Sequence, residues 1–177
     1  MSSFSKILVA AVLVTGMAAP AFAQASDSES TTGSVRIIQP INLTKVNNLA
    51  FGTIVRPASG SSTITMSTSS DTPTVDSGTA VVLSGGTKTR ASYTVTGEGG
   101  QAVAISVPAT FDMTAGANTI TVTLTPEATS DTLSGTLGTT GGFSGDGTLY
   151  VGGSFAVTNS TVSGDYTGSF STTVAYN

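Results

Sequence analysis

Apolar residues in this chain recur at every second position over short stretches, and each stretch ends at a glycine, asparagine, proline or serine cluster. Across residues 119–125, Ile120, Val122 and Leu124 alternate with threonines. Residues 102–107 place Val103, Ile105 and Val107 on one face, 91–96 carry Tyr93 and Val95, and 63–67 carry Ile64 and Met66. A two-residue period belongs to a strand with one face in a core and the other in water. Further strand candidates are 34–44, broken by Pro40, which removes a ladder donor, then 49–55 around Gly52, and 80–83. Residues 149–151 and 154–157 read as a pair around Gly152-Gly153. Glu98-Gly99-Gly100 reads as a hairpin connection, and 141–147 as a mobile glycine-rich one. At the end of the chain Tyr166, Gly168, Phe170, Thr172, Val174 and Tyr176 fall on one side of a single predicted strand.

No stretch of 11 or more residues after residue 23 has a 3.6-residue apolar period. Turn signals every 8–12 residues or so predict an all-β fold, an immunoglobulin-like or pilin-like antiparallel β-sandwich of about 8–10 short strands. The alternation assigns its core to Leu49, Phe51, Ile64, Val82, Tyr93, Val95, Val103, Ile105, Val107, Ile120, Val122, Leu124, Phe155, Val157, Phe170 and Val174.

The first residues follow a different pattern. Lys6 precedes an apolar run over 7–19, and Ala21-Phe22-Ala23 has the small-x-small form of a cleavage site. This predicts a signal peptide over 1–23, Sec export, and a final location in the periplasm, at the cell surface or outside the cell. The run is shorter than the roughly 20 residues a membrane helix needs, so no bilayer contact is expected after cleavage. Residues 24–33 are polar and read as a flexible extension. Residues 34–177 read as one sandwich domain.

Composition narrows the chemistry. Charged residues are 9% of the chain, against about 25% in an average soluble protein. The net charge is −4 and no basic cluster exists, which argues against a nucleic-acid partner. Cysteine is absent, so an exported domain of this size must hold without disulfides. Histidine is absent, which removes the commonest acid–base group and any Ser–His nucleophile. The acids Asp27, Glu29, Asp71, Asp76, Glu98, Asp112, Glu127, Asp131, Asp146 and Asp165 mostly stand beside Gly, Ser or Thr, as turn-forming or solubilising acids do. Asp146 is the best calcium candidate, but no loop of alternating acids surrounds it. No Lys-Ser/Thr follows the glycine-rich loop, as a phosphate loop would require. Tyr93, Tyr150, Tyr166 and Tyr176 read as in-facing or boundary strand residues, with a sugar platform as the competing role. No catalytic, cofactor-binding or metal-binding residue is expected.

Two motifs carry a resemblance. One is Asn48-Leu49-Ala50-Phe51-Gly52-Thr53-Ile54, and the other is the terminal Gly-x-Tyr-x-Gly-x-Phe-x-x-x-Val-x-Tyr pattern. Together they resemble the domain of unknown function 4402 family of bacterial secreted β-proteins. Their order is also similar to that of spore-coat-U-type pilins of the archaic chaperone–usher pathway. The resemblance makes Leu49, Phe51, Gly52, Gly164, Tyr166, Gly168, Phe170, Val174 and Tyr176 signature positions. It implies a sandwich short of one strand, filled by an N-terminal segment of the next subunit. The matching segment here is 32–38, with Val35 and Ile37 as alternate plugs and Ile38 beside them. The pilins carry a cysteine pair that this chain lacks.

The resulting expectation is a non-enzymatic exported subunit of a surface filament (pilus) or coat, self-associating through its sheet edges. A periplasmic chaperone and an outer-membrane usher are its implied partners. The alternative expectation is a monomeric secreted adhesin or carbohydrate-binding sandwich.

Overall fold

In the computed structural model, residues 26–177 are described; the expected signal peptide over 1–23 lies outside the described residues. The described residues form fifteen strands and no helix. In chain order the strands are β1 (Asn42–Asn47), β2 (Ala50–Phe51), β3 (Ile54–Val55), β4 (Ser61–Met66), β5 (Thr74–Ser77), β6 (Val81–Val82), β7 (Lys88–Thr89) and β8 (Ala91–Glu98). Then come β9 (Ala102–Ser106), β10 (Thr110–Ala115), β11 (Asn118–Pro126), β12 (Ser130–Thr132), β13 (Thr140–Gly142), β14 (Thr148–Thr158) and β15 (Thr173–Tyr176). The count exceeds the expected one because several are pieces of two to four residues. All pairings are antiparallel.

The main sheet runs β1-β8-β14-β11-β10, with β13 on the end of β8 and β4-β5 on the far half of β14. A second sheet runs β12-β9-β15. Two short ribbons, β2-β7 and β3-β6, complete the set. Side chains from both sheets share one core: Ile64, Val95, Val122, Leu149 and Val151 from the main sheet, with Val103 and Ile105 from the second. The all-β sandwich is therefore the observed architecture, and residues Arg36–Asn177 form one compact unit.

β11 follows the predicted alternation. Val122 and Leu124 are buried, Ile120 is half-buried, and the intervening threonines are exposed. The 149–151 and 154–157 pieces, by contrast, are one eleven-residue strand, β14, which passes straight through both glycines. Thr148–Val151 pairs with β8, and Gly153–Thr158 with β4. At the handover a β-carbon on Gly152 would stand 2.2 Å from the Met66 carbonyl oxygen, and one on Gly153 2.9 Å from that of Thr123. Glycine here marks a close backbone approach within a strand, where the sequence suggested a turn.

Other expectations are corrected in the same way. Glu98-Gly99-Gly100 is not a hairpin, because β8 and β9 lie in different sheets. The turn is a corner between layers. Residues 141–147 are pinned: β13 pairs with β8, Phe143 is buried, and the Val95 amide bonds the Gly147 carbonyl at 3.3 Å. Residues 34–41 form no strand; β1 begins only after Pro40. The 49–55 strand is split at Gly52, whose φ of +74° turns the chain from β2 into β3. Val82 sits half-buried on the β3-β6 ribbon, outside the core cluster.

The terminal strand is also divided. Its first part lies against β10: Thr167 exchanges hydrogen bonds with Thr114 at 2.8 and 3.1 Å. Only Thr173–Tyr176 is a ladder, and it pairs with β9 of the other sheet. The segment therefore passes from one layer to the other. Gly168 permits the crossing, since a β-carbon there would stand 2.1 Å from the Asp112 carbonyl oxygen. Phe170 rests on Phe111, with ring centroids 5.0 Å apart.

Candidate functional site

The two signature motifs converge on one feature. Leu49, Phe51, Gly52 and Ile54 line an open groove of about 700 Å³, which Val162, Gly164 and Tyr166 also line. The main sheet supplies Met113 from β10, Ile120 from β11, and Phe155 and Val157 from β14. These are apolar side chains, and two of the rings form a fixed pair: Phe51 and Phe155 meet edge to face at 4.9 Å and 81°. Arg56 lies at the rim, where its guanidinium donates to the Thr161 carbonyl at 2.6 Å. The Tyr166 hydroxyl donates to the Val162 carbonyl at 2.8 Å, so residues 162–166 are braced on themselves.

Each motif residue now has a physical reason. Phe51 is buried and Leu49 half-buried against the core. Gly52 needs its left-handed φ, and a β-carbon there would also stand 2.7 Å from Lys88 Cγ. Gly168 and Phe170 serve the crossing between layers, while Val174 and Tyr176 lie on the β9 edge. The signature thus divides into a groove set (Leu49, Phe51, Gly52, Gly164, Tyr166) and a closure set (Gly168, Phe170, Val174, Tyr176). The sequence did not reveal that Met113 and Arg56 belong with the first set. Only the topology brings them there.

The candidate donor residues lie outside any ladder. No residue from Ser26 to Ile41 is in a strand. Val35 and Ile37 are 85% and 84% exposed, and Ile38 is half-buried. Apolar side chains that bare are the least comfortable on the described surface, where every other large exposed hydrophobic is at 57% or below.

The four tyrosines do not form a platform. Tyr93 is buried in β8, Tyr166 lines the groove, and Tyr176 is bonded inside the fold. The Tyr150 ring is covered by the Arg90 guanidinium, 3.6 Å from its centroid, and Arg90 faces Asp71 at 3.6 Å. The Tyr150 hydroxyl donates to Asp146 at 2.8 Å, which holds that carboxyl below its usual range and raises the tyrosine above its own. Tyr150→Phe should therefore move the Asp146 titration back up toward an ordinary aspartate, read by carboxyl NMR. No movement would mean that the bond is not held in solution. The second oxygen of Asp146 accepts the Thr148 amide at 3.0 Å, a turn-forming role. Glu98 departs from the role expected of the acids, since it is buried at 2% exposure and fully hydrogen-bonded.

No curated protein and no solved structure matches this chain. The family described as "Domain of unknown function (DUF4402)" matches residues 41–176, a span that takes in both motifs and every strand. The chain belongs to the DUF4402 family.

Proposed function

We propose that this protein is a non-enzymatic, exported structural subunit that assembles into a surface filament or coat by strand addition. In this reading the N-terminal segment of one copy lies in the groove of the next. The observation that carries it is the pairing of two incomplete halves in one chain. One half is a segment without ladder partners that bares Val35 and Ile37; the other is an open groove on the fold whose lining includes the apolar side chains of Phe51, Phe155, Met113 and Ile120. Side chains two positions apart on an extended segment point the same way. Val35 and Ile37 would enter the groove together against Phe51, Phe155, Met113 and Ile120, while main-chain bonds supply the rest of the affinity. The segment from residue 26 to 38 spans about 40 Å when extended, ample for a bridging arm. A periplasmic chaperone and an outer-membrane usher fit the same proposal, because an unfilled groove needs cover before assembly.

The test is Val35→Asp with Ile37→Asp in the exported protein, followed by size-exclusion chromatography and electron microscopy. A buried unpaired carboxylate is costly, so association should weaken at least about tenfold per substitution, leaving a monomer whose melting is unchanged. If the double variant assembles as the wild type does, strand donation from this segment is wrong. If the wild type itself is a monomer at all concentrations, the self-contained binding-module reading takes its place.

A further inference from the structure

The turn at Gly97-Glu98-Gly99-Gly100 is a socket. Glu98 Oε2 accepts the Gln39 amide at 3.0 Å, and Oε1 accepts the Gly138 amide. The Tyr176 hydroxyl accepts the Glu98 amide at 2.6 Å and donates to the Gln39 carbonyl at 2.8 Å. The Gln39 side-chain oxygen accepts from Thr140 Oγ1 at 2.9 Å. Both backbone groups of Gln39 and its side chain are thus gripped, by three residues from β8, β13 and β15.

The glycines make the space. A β-carbon on Gly97 would stand 2.5 Å from the Tyr176 hydroxyl oxygen and 2.9 Å from Leu133 Cδ1. One on Gly99 would stand 2.8 Å from both the amide nitrogen and the carbonyl oxygen of Thr136. No cation faces Glu98 among the described residues; the one ion pair there joins Arg90 to Asp71. A buried carboxylate in that position is tolerable because its oxygens accept two backbone N–H groups. A neutral glutamine would turn its NH₂ toward one of them.

Gln39 stands at a boundary. The residues before it have no ladder partner, and β1 begins three positions after it. We infer that Glu98 and Tyr176 form an anchor for the root of the N-terminal segment, fixing Gln39 as the point at which that segment leaves the fold. Glu98 is a positioning residue in this role. Its bearing on assembly rests on the strand-addition reading: a pull on the segment would be taken up by β8 and β15 at Gln39 and would not peel β1 from β8.

The experiment is hydrogen exchange on the exported protein and on its Glu98→Gln and Tyr176→Phe variants, with trypsin digestion alongside. In Glu98→Gln the Gln39 and Gly138 amides should exchange at least about tenfold faster, and in Tyr176→Phe the Glu98 amide should do so, while core amides such as those of Ile64 and Val122 are unchanged. Cleavage after Lys45 in β1 should quicken relative to cleavage after Arg36. Unchanged exchange at Gln39 and Gly138 overturns the anchor, and so does a uniform rise across the core. Should Glu98→Gln fail to fold, Tyr176→Phe, which removes only a hydroxyl, decides by the Glu98 amide: faster exchange there with an unchanged core keeps the anchor, and unchanged exchange there overturns it. A local response in a protein whose assembly ignores Val35 and Ile37 keeps the anchor and removes the assembly reading. Assembly that needs those residues, with no local response, removes the anchor alone.

Discussion

Alanine at Gly152 should cost about 3 kcal/mol or more, the upper end of what overpacking usually costs. The added methyl has nowhere to go. It would stand 2.2 Å from the Met66 carbonyl oxygen and 3.0 Å from the Ser67 carbonyl carbon, and both are backbone. A flexible side chain would rotate away, but here β14 must move off β4. Six residue pairs join these two strands, from Gly153 with Met66 to Thr158 with Ser61, so a shift at one end loosens the whole ladder. Chemical denaturation with circular dichroism measures the loss. Gly85→Ala is the control: its β-carbon would meet nothing within 4 Å, and the change should stay within about 0.5 kcal/mol. If the two variants unfold at the same denaturant concentration, the close approach at Gly152 is not a feature of the folded protein.

Phe51→Ala should lower stability by about 3 kcal/mol, at the lower edge of the 3–5 kcal/mol typical of a buried phenylalanine. The ring is 7% exposed and stacks edge to face on Phe155, an arrangement that adds up to about 1 kcal/mol beyond area burial. What holds the figure down is the groove. The vacated space opens onto it, so no sealed cavity is left and water can enter. Under the proposed function the same substitution also enlarges the docking site and weakens association. Denaturant titration of the monomer gives the first effect, and concentration-dependent chromatography the second. A stability loss under 1 kcal/mol would show that the ring does not pack in solution as it does here.

Much of the fold was legible because antiparallel strands with one wet face write their orientation into the sequence. β11 is the clearest case, and Val95, Val103 and Ile105 are others buried as the alternation requires. Legibility failed where that premise failed. β14 is buried on both faces across Val151, Gly152 and Gly153, so its alternation lapses there and its glycines read as a turn. Leu133 and Phe143 entered the core from segments that look like loops. The site divides in the same way. Leu49, Phe51 and Gly52 were visible because a local bend and a buried ring leave a compact motif. Met113, Phe155 and Arg56 come to the groove from three places that only the topology joins. Glu98 looked like a solubilising turn acid because its neighbours are glycines, yet it is buried, and other parts of the chain pack closely on Gly97 and Gly99.

The bonds that gather at Gln39 join residues far apart in the chain, 59 positions to Glu98, 101 to Thr140 and 137 to Tyr176. Bringing such distant parts together requires large loops to close before any contact repays them, which places folding in the slow, milliseconds-to-seconds class. A newly made chain would therefore linger with unpaired edges, and its vulnerability to misassociation would be set by how fast the segments around Gln39 and Tyr176 find each other.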